Sequence, residues 1–120
     1  MVKKTLVIGA STNPSRYSYL AINRLLDNKH EVIAIGKKEG EVSGVKISTE
    51  KVMFENIDTV TLYLNKKNQK DYYDYIIGLN PKRVIFNPGT ENEELQKLLT
   101  KNNIAFEEAC TLVLLGTGQY

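Results

Sequence analysis

The stretch Thr5-Leu-Val-Ile-Gly-Ala-Ser-Thr-Asn-Pro-Ser-Arg16 decides how the rest of this 120-residue chain is read. Thr5–Ile8 is a β-branched and aliphatic run of the kind that forms a buried strand, and it stops at Gly9. Small and polar residues follow, then Pro14 and Ser15, and a helical pattern opens at about Arg16. Proline suits a first helical turn, because its missing N–H would find no intrahelical partner there. Ser11, Thr12 and Asn13 are all of types that cap helix N-termini. A strand, a glycine turn and a helix start gather backbone N–H groups and the positive end of a helix dipole at one point. That is a site for an anion, usually a phosphate.

The spacing narrows the ligand. Gly9-x-Ser11-x-x-Pro14 stands where a dinucleotide fold carries Gly-x-Gly-x-x-Gly, with only the first glycine kept. No Gly-Lys-Ser/Thr follows, so the turn is not a P-loop. Asn13 in place of a second glycine also separates it from the Gly-x-Ser-x-Gly nucleophile elbow. The alternative is a tight strand-to-helix turn that holds nothing.

Outward from this turn, short apolar runs alternate with helical patterns. The expected strands are Thr5–Gly9, Glu31–Gly36, Thr59–Leu64, Arg83–Asn87 and Ala105–Glu108. Val32–Ile35 and Val84–Phe86 are continuously apolar, as in parallel strands covered on both faces. Between them run three helical stripes. Tyr17, Ala21, Ile22, Leu25 and Leu26 mark the first, Tyr72, Tyr73, Ile76 and Ile77 the second, and Leu95, Leu98 and Leu99 the third. Thr90-Glu-Asn-Glu93 reads as the capping box of the third. The alternation predicts an α/β fold: a three-layer, doubly wound parallel sheet of about five strands, Rossmann-like. Lys37–Asn56 is the least regular segment, with a turn and one short strand expected in Gly40–Ile47 and a weak helix near Glu50–Glu55. Thr111–Leu115 reads equally as a short helix over the core or as a strand.

Composition bounds the partners. Residues 1–120 are of single-domain size, and 42% hydrophobic with 25% charged residues is the balance of a soluble globular protein. No stretch resembles a signal peptide or a membrane span, so no membrane partner is expected. The lone Cys110 excludes an internal disulfide framework and fits a reducing, cytoplasmic setting. A net charge of +2, scattered along the chain, argues against nucleic acid and suits a small phosphorylated ligand.

In a doubly wound sheet the ligand crevice lies beyond the carboxyl ends of the strands, where strand order reverses. Residues after each strand therefore converge: Gly9–Arg16, Gly36–Lys38, Asn65–Lys67, Asn87–Thr90 and Ala109–Cys110. An NAD site wants a carboxylate ending the second strand, but Gly36-Lys37-Lys38 stands there. Two lysines favour a phosphorylated ribose, for which NADP and coenzyme A both qualify, or they solvate a loop. Asn65 and Lys66 offer donors near the reversal, and Gly89 would let a ligand approach the backbone. Glu91, Glu93 and Glu94 repel a phosphate from the helix that follows, so the anion belongs at the first helix.

Catalytic groups are sparse. His30, the only histidine, falls between the first helix and second strand, at the edge opposite the crevice. Cys110 reaches the crevice edge, yet no neighbour that would lower its pKa can be named, so a structural thiol is expected. The other option is a thiol forming a mixed disulfide with a thiol cofactor. No Cys/His spacing fits a metal site.

Gly9-Ala-Ser-x-Asn-Pro-x-Arg-Tyr-Ser18, then Ala21 and His30-Glu-Val32, resembles the small stand-alone CoA-binding proteins. Their domain is similar to the CoA-binding domain of the succinyl-CoA synthetase α subunit. Gly44-Val45, Ile57-Asp58, Asn87-x-Gly89 and Cys110 agree more loosely. The resemblance implies binding of coenzyme A or an acyl-CoA without catalysis. Gly9, Ala10, Ser11, Asn13, Arg16 and Tyr17 would form the phosphate turn. Gly36, Lys37 and Lys38 would meet the adenosine end, and Asn65, Lys66, Asn87 and Gly89 would line the remainder. Relatives often have a proline-containing turn where Gly36-Lys37-Lys38 stands, and Gln-x-Gly for Asn87-Pro-Gly89. The synthetase histidine that is phosphorylated belongs to a separate domain, so ligase activity does not carry over. The competing expectations are a small NADP-dependent or acyl-transferring enzyme using Cys110, and an interaction module with a vestigial crevice. A homodimer or a larger enzyme partner is compatible with each.

Overall fold

A computed structural model describes residues 2–120. Its strands are β1 (Thr5–Ala10), β2 (Val32–Gly36), β3 (Gly40–Val42), β4 (Val45–Ser48), β5 (Thr59–Leu62), β6 (Arg83–Phe86) and β7 (Ala105–Glu108). The helices are α1 (Tyr17–Asp27), α2 (Lys66–Gln69), α3 (Tyr73–Leu79), α4 (Glu93–Lys101) and α5 (Thr111–Gly116). A 3-10 turn, Lys70–Tyr72, joins α2 to α3. The strands form one sheet in the order β3-β4-β2-β1-β5-β6-β7, and only β3 is antiparallel to its neighbour.

The central place of β1 explains its composition. It pairs with β2 on one side and β5 on the other, so both of its faces are covered and a continuous apolar run suits it. Leu6 and Ile8 point to one layer, where Val60, Leu62, Val84 and Phe86 meet Ile76 of α3 and Leu95 and Leu99 of α4. Val7 points to the other, with Ala34, Ile47, Ile22 and Leu25 of α1 and Leu115 of α5. Three layers follow directly from that alternation. Each fully buried leucine or isoleucine contributes about 1.5–3 kcal/mol by leaving water.

The α/β, Rossmann-like class is as expected, but the sheet has seven strands rather than about five. Gly40–Ile47 holds two strands, not one: β3 and β4 form a hairpin through Ser43-Gly44, whose φ values are 50° and 87°. Both positive values suit a tight two-residue turn. No helix forms near Glu50–Glu55. That segment is instead an irregular strap, with the Val52 carbonyl accepting from the Tyr75 hydroxyl at 2.6 Å and Phe54 packed on the core. The expected capping box does not form, and the N-cap falls two residues later. Asn92, not Thr90, caps α4, its side chain accepting from the Leu95 N–H at 3.3 Å. The Thr90 hydroxyl is already committed to the Asn87 carbonyl, at 2.7 Å. The tail resolves as helix α5.

Candidate functional site

Strand order reverses at β1, which puts the expected crevice at the carboxyl ends of β1 and β5, with β2 and β6 beside them. Register places those ends together: Ala10 beside Gly36, Ile8 beside Leu62, and Leu62 beside Phe86. The floor is made by backbone. Gly9 has φ 94°, and a Cβ there would lie 2.8 Å from the Tyr63 carbonyl carbon. A Cβ on Gly36 would sit 2.3 Å from the Ala10 carbonyl oxygen. Neither position accepts any side chain without moving main chain, so these two glycines let three strand ends close on one another.

The loop above the floor holds its own shape. The Asn13 N–H donates to Ser11 Oγ at 3.1 Å, and the Ser15 N–H and hydroxyl donate to Asn13 Oδ1 at 3.0 and 2.8 Å. The Arg16 N–H donates to the Asn13 carbonyl at 3.0 Å. Helix α1 then opens with Arg16 at its N-cap and no side-chain cap. Among the described residues, the N–H groups of Tyr17 and Ser18 meet no acceptor, as expected for a first turn left open. Thr12, Asn13, Arg16 and Tyr17 are exposed, Tyr17 by 72%.

The remaining expected site residues divide by exposure. Lys37, Lys38, Lys66 and Gly89 face solvent. Asn65 is exposed too, but its side-chain oxygen accepts from the Asn68 N–H at 3.0 Å and caps α2. The Gly89 N–H is taken by Glu91 Oε1 at 3.0 Å. Asn87 turns inward and is only 3% exposed. Its Nδ2 donates to Thr61 Oγ1 and the Leu62 carbonyl at 2.7 and 2.9 Å, and its Oδ1 accepts from the Thr111 N–H at 2.9 Å. Both ends of that amide are therefore occupied by the protein.

Several polar groups around the crevice escaped the sequence reading. Thr61 and Thr111 share a 2.8 Å hydroxyl contact beneath α5. Gln69 bridges two crevice loops, its Nε2 donating to the Leu64 and Thr90 carbonyls at 2.9 and 2.7 Å while its Oε1 accepts from Asn92. The Tyr63 hydroxyl is buried and has no hydrogen-bond partner among the described residues. Burial pushes its pKa up to about 12, against the lesser pull of the nearby Thr111 and Thr61 hydroxyls. The period-two spacing Thr59-x-Thr61-x-Tyr63 was the one available signal of a polar face there.

The sole histidine lies away from the crevice. His30 sits at the opposite edge, its ring tilted by 57° against that of Tyr120 with centroids 4.9 Å apart, and accepts through Nδ1 from the Lys3 N–H. Cys110 is half-buried at the start of α5. Among the described residues no group of three or more His, Cys, Asp or Glu could hold a metal ion. Among the same residues no helix is long and apolar enough to cross a membrane. An open groove of about 880 Å³ between α2 and α4 is lined by Lys66, Lys70, Lys97 and Lys101, among others, and shares only Lys66 with the expected site.

Comparison with known proteins agrees with this architecture. An uncharacterized protein of known crystal structure is 52% identical and superposes with a TM-score of 0.98, over 100% of this chain and 99% of its own. A hypothetical protein from Pyrococcus horikoshii OT3 is 26% identical with a TM-score of 0.83, over 92% of this chain and 79% of that one. The dinucleotide-forming acetyl-coenzyme A synthetase 1 of Ca. Korarchaeum cryptofilum, solved with phosphate and ADP, shares the fold at 18% identity and a TM-score of 0.70. There 89% of this chain matches 26% of that one. No curated protein sequence matches. The model of the CoA binding domain family matches residues 3–116, nearly the whole chain, and the protein belongs to that family.

Proposed function

We propose that the protein binds coenzyme A or an acyl-CoA at the carboxyl edge of β1, β2 and β5, and that its role is recognition without chemistry. One observation carries the reading. At the point where strand order reverses, α1 presents the unpartnered N–H groups of Tyr17 and Ser18 beside the exposed Arg16 guanidinium. A pyrophosphate there would gain backbone hydrogen bonds, the helix dipole and a charge-assisted bond together. Lys37 and Lys38, exposed after β2, stand where the phosphorylated ribose of such a ligand would lie. The family supports the ligand class, and the loop supplies donors that fit it. The protein would hold the ligand and leave its reactive end to other molecules.

Thermal unfolding with CoA, acetyl-CoA, dephospho-CoA, NAD and NADP tests this, since a ligand that selects the native state raises its stability by mass action. CoA and acetyl-CoA should shift the midpoint most, with dephospho-CoA weaker. A shift with NADP alone, or with none of the five, would overturn the reading.

A further inference from the structure

We propose that the open groove between α2 and α4, where four lysines rim an apolar floor, docks an acidic amphipathic segment of a partner protein. The proposal goes beyond the ligand reading and does not rest on it. Lys66 and Lys70 line the groove from one side and Lys97 and Lys101 from the other, around a volume of about 880 Å³. All four lysines are exposed, whereas Tyr73 and Leu98 are half-buried and form the floor. The Tyr73 hydroxyl is already used, donating to Glu94 Oε1 and accepting from Asn92 Nδ2, each at 2.9 Å. What it offers to the groove is its ring.

Charge singles this surface out. Glu93 and Glu94 also line the groove, so four lysines against two glutamates leave an excess of two positive charges. The entire chain carries a formal net charge of +2, so the excess that is scattered in sequence is gathered here in space. Among the described residues the ion pairs are Lys4–Glu31 and Arg83–Glu107, and no groove lysine is in either. Helix stability accounts for part of the pattern only. Lys101 suits the last turn of α4, but Lys66 holds the first position of α2, the unfavourable end of a helix dipole.

Spacing identifies the occupant. Lys66 and Lys70 are four residues apart in continuous helical backbone, as are Lys97 and Lys101, which sets each pair about 6 Å apart along its axis. Carboxylates at the same four-residue spacing on a partner helix match that rise, and an apolar side chain on the same face meets Tyr73 and Leu98. A nucleic-acid duplex would pair with the lysines but put no apolar group on the floor.

The test is fluorescence anisotropy with three labelled probes. They are an amphipathic peptide of Glu and Leu, about fifteen residues long so that it can form a helix, its Gln-for-Glu counterpart, and a short DNA duplex. The Glu peptide should bind, more weakly as salt rises, and its Gln counterpart should bind about ten-fold more weakly. Lys70→Glu with Lys97→Glu, one change from each side, should weaken the Glu peptide about ten-fold. Lys46→Glu with Lys82→Glu makes the same change in net charge at exposed positions outside the groove, and should alter binding by less than about two-fold. Lys70→Gln with Lys97→Gln, which adds no repulsion, should show the groove effect at smaller size. Equal losses in the two Lys→Glu pairs would reduce the effect to net charge, and tighter binding of the duplex would make this a nucleic-acid surface. Either result, or no binding of the Glu peptide at physiological salt, would overturn the proposal.

Discussion

Replacing Asn87 by alanine separates a strut from a ligand group. The side chain makes three hydrogen bonds, two donated to Thr61 Oγ1 and the Leu62 carbonyl and one accepted from the Thr111 N–H. Thr61 keeps its bond to the Thr111 hydroxyl, but the Thr111 N–H loses its acceptor and the Leu62 carbonyl loses a donor. Thr111 and Leu62 are both fully buried, so water does not readily replace the amide. At about 1–3 kcal/mol for each orphaned group, the loss comes to about 4 kcal/mol. That is a large part of the 5–15 kcal/mol or so that stabilises an ordinary domain. With an unfolding entropy of about 2.1 cal/mol/K per residue, a chain of this length should drop about 15 °C in Tm. Urea unfolding should show a lower midpoint at unchanged m-value, because the surface exposed on unfolding is the same. A loss below about 1 kcal/mol would mean that these bonds add little to stability. Intact stability with lost CoA affinity would make Asn87 a ligand contact instead.

Arg16→Ala should weaken CoA binding by roughly one to two orders of magnitude while leaving Tm unchanged, as checked by calorimetric titration; equal affinity would remove the guanidinium from the phosphate site. Lys37→Ala with Lys38→Ala should weaken CoA by roughly a few-fold but leave dephospho-CoA unaffected, and the difference should shrink in high salt. His30 is held below its ordinary pKa of 6.5 by burial first, then by the charge of Lys3, with Arg83 adding to it. The unfolded chain therefore takes up this proton before the native state does. The stability His30 contributes is complete above pH 6.5, falls as pH drops from there through the native value, and is constant below it. Unfolding measured through that window should show a shallower pH slope in His30→Gln, and an identical slope would rule out this histidine as its source.

The sheet was legible where burial wrote a period into the sequence. Val32–Ile35 and Val84–Phe86 are unbroken apolar runs because both faces of β2 and β6 are covered. The hairpin was half hidden. Val42, Val45 and Ile47 are buried and Glu41 and Lys46 exposed, but the turn is Ser43-Gly44, and serine at φ 50° lacks the usual Asn-Gly signature. At α4 the expected cap Thr90 gives way to Asn92, because the Asn87 carbonyl takes the Thr90 hydroxyl, whereas the Asn92 amide N–H donates to Gln69 and leaves its Oδ1 to accept from Leu95. That Arg16, Lys37 and Lys38 follow the carboxyl ends of β1 and β2 could be read from strand boundaries alone. Asn87 could not be resolved that way, because its partners Thr61 and Thr111 come from β5 and α5, more than twenty residues away on either side. Local pattern places a residue at a strand end but does not say whether its side chain turns inward.

The crevice thus has two parts that respond differently to change. Its floor is main chain against main chain, with Gly9 under Tyr63 and Gly36 over the Ala10 carbonyl, and any added atom must push a strand end. Packed interiors yield little to such a push, so a substitution there costs stability and geometry together. Its proposed walls are the side chains of Arg16, Lys37 and Lys38, which are exposed and can change at small cost to the fold. Under the CoA-binding proposal, ligand preference is therefore adjustable at these side chains, one charge at a time. The floor, by contrast, keeps the ends of β1, β2 and β5 at a fixed separation, because neither Gly9 nor Gly36 admits an added atom without moving main chain.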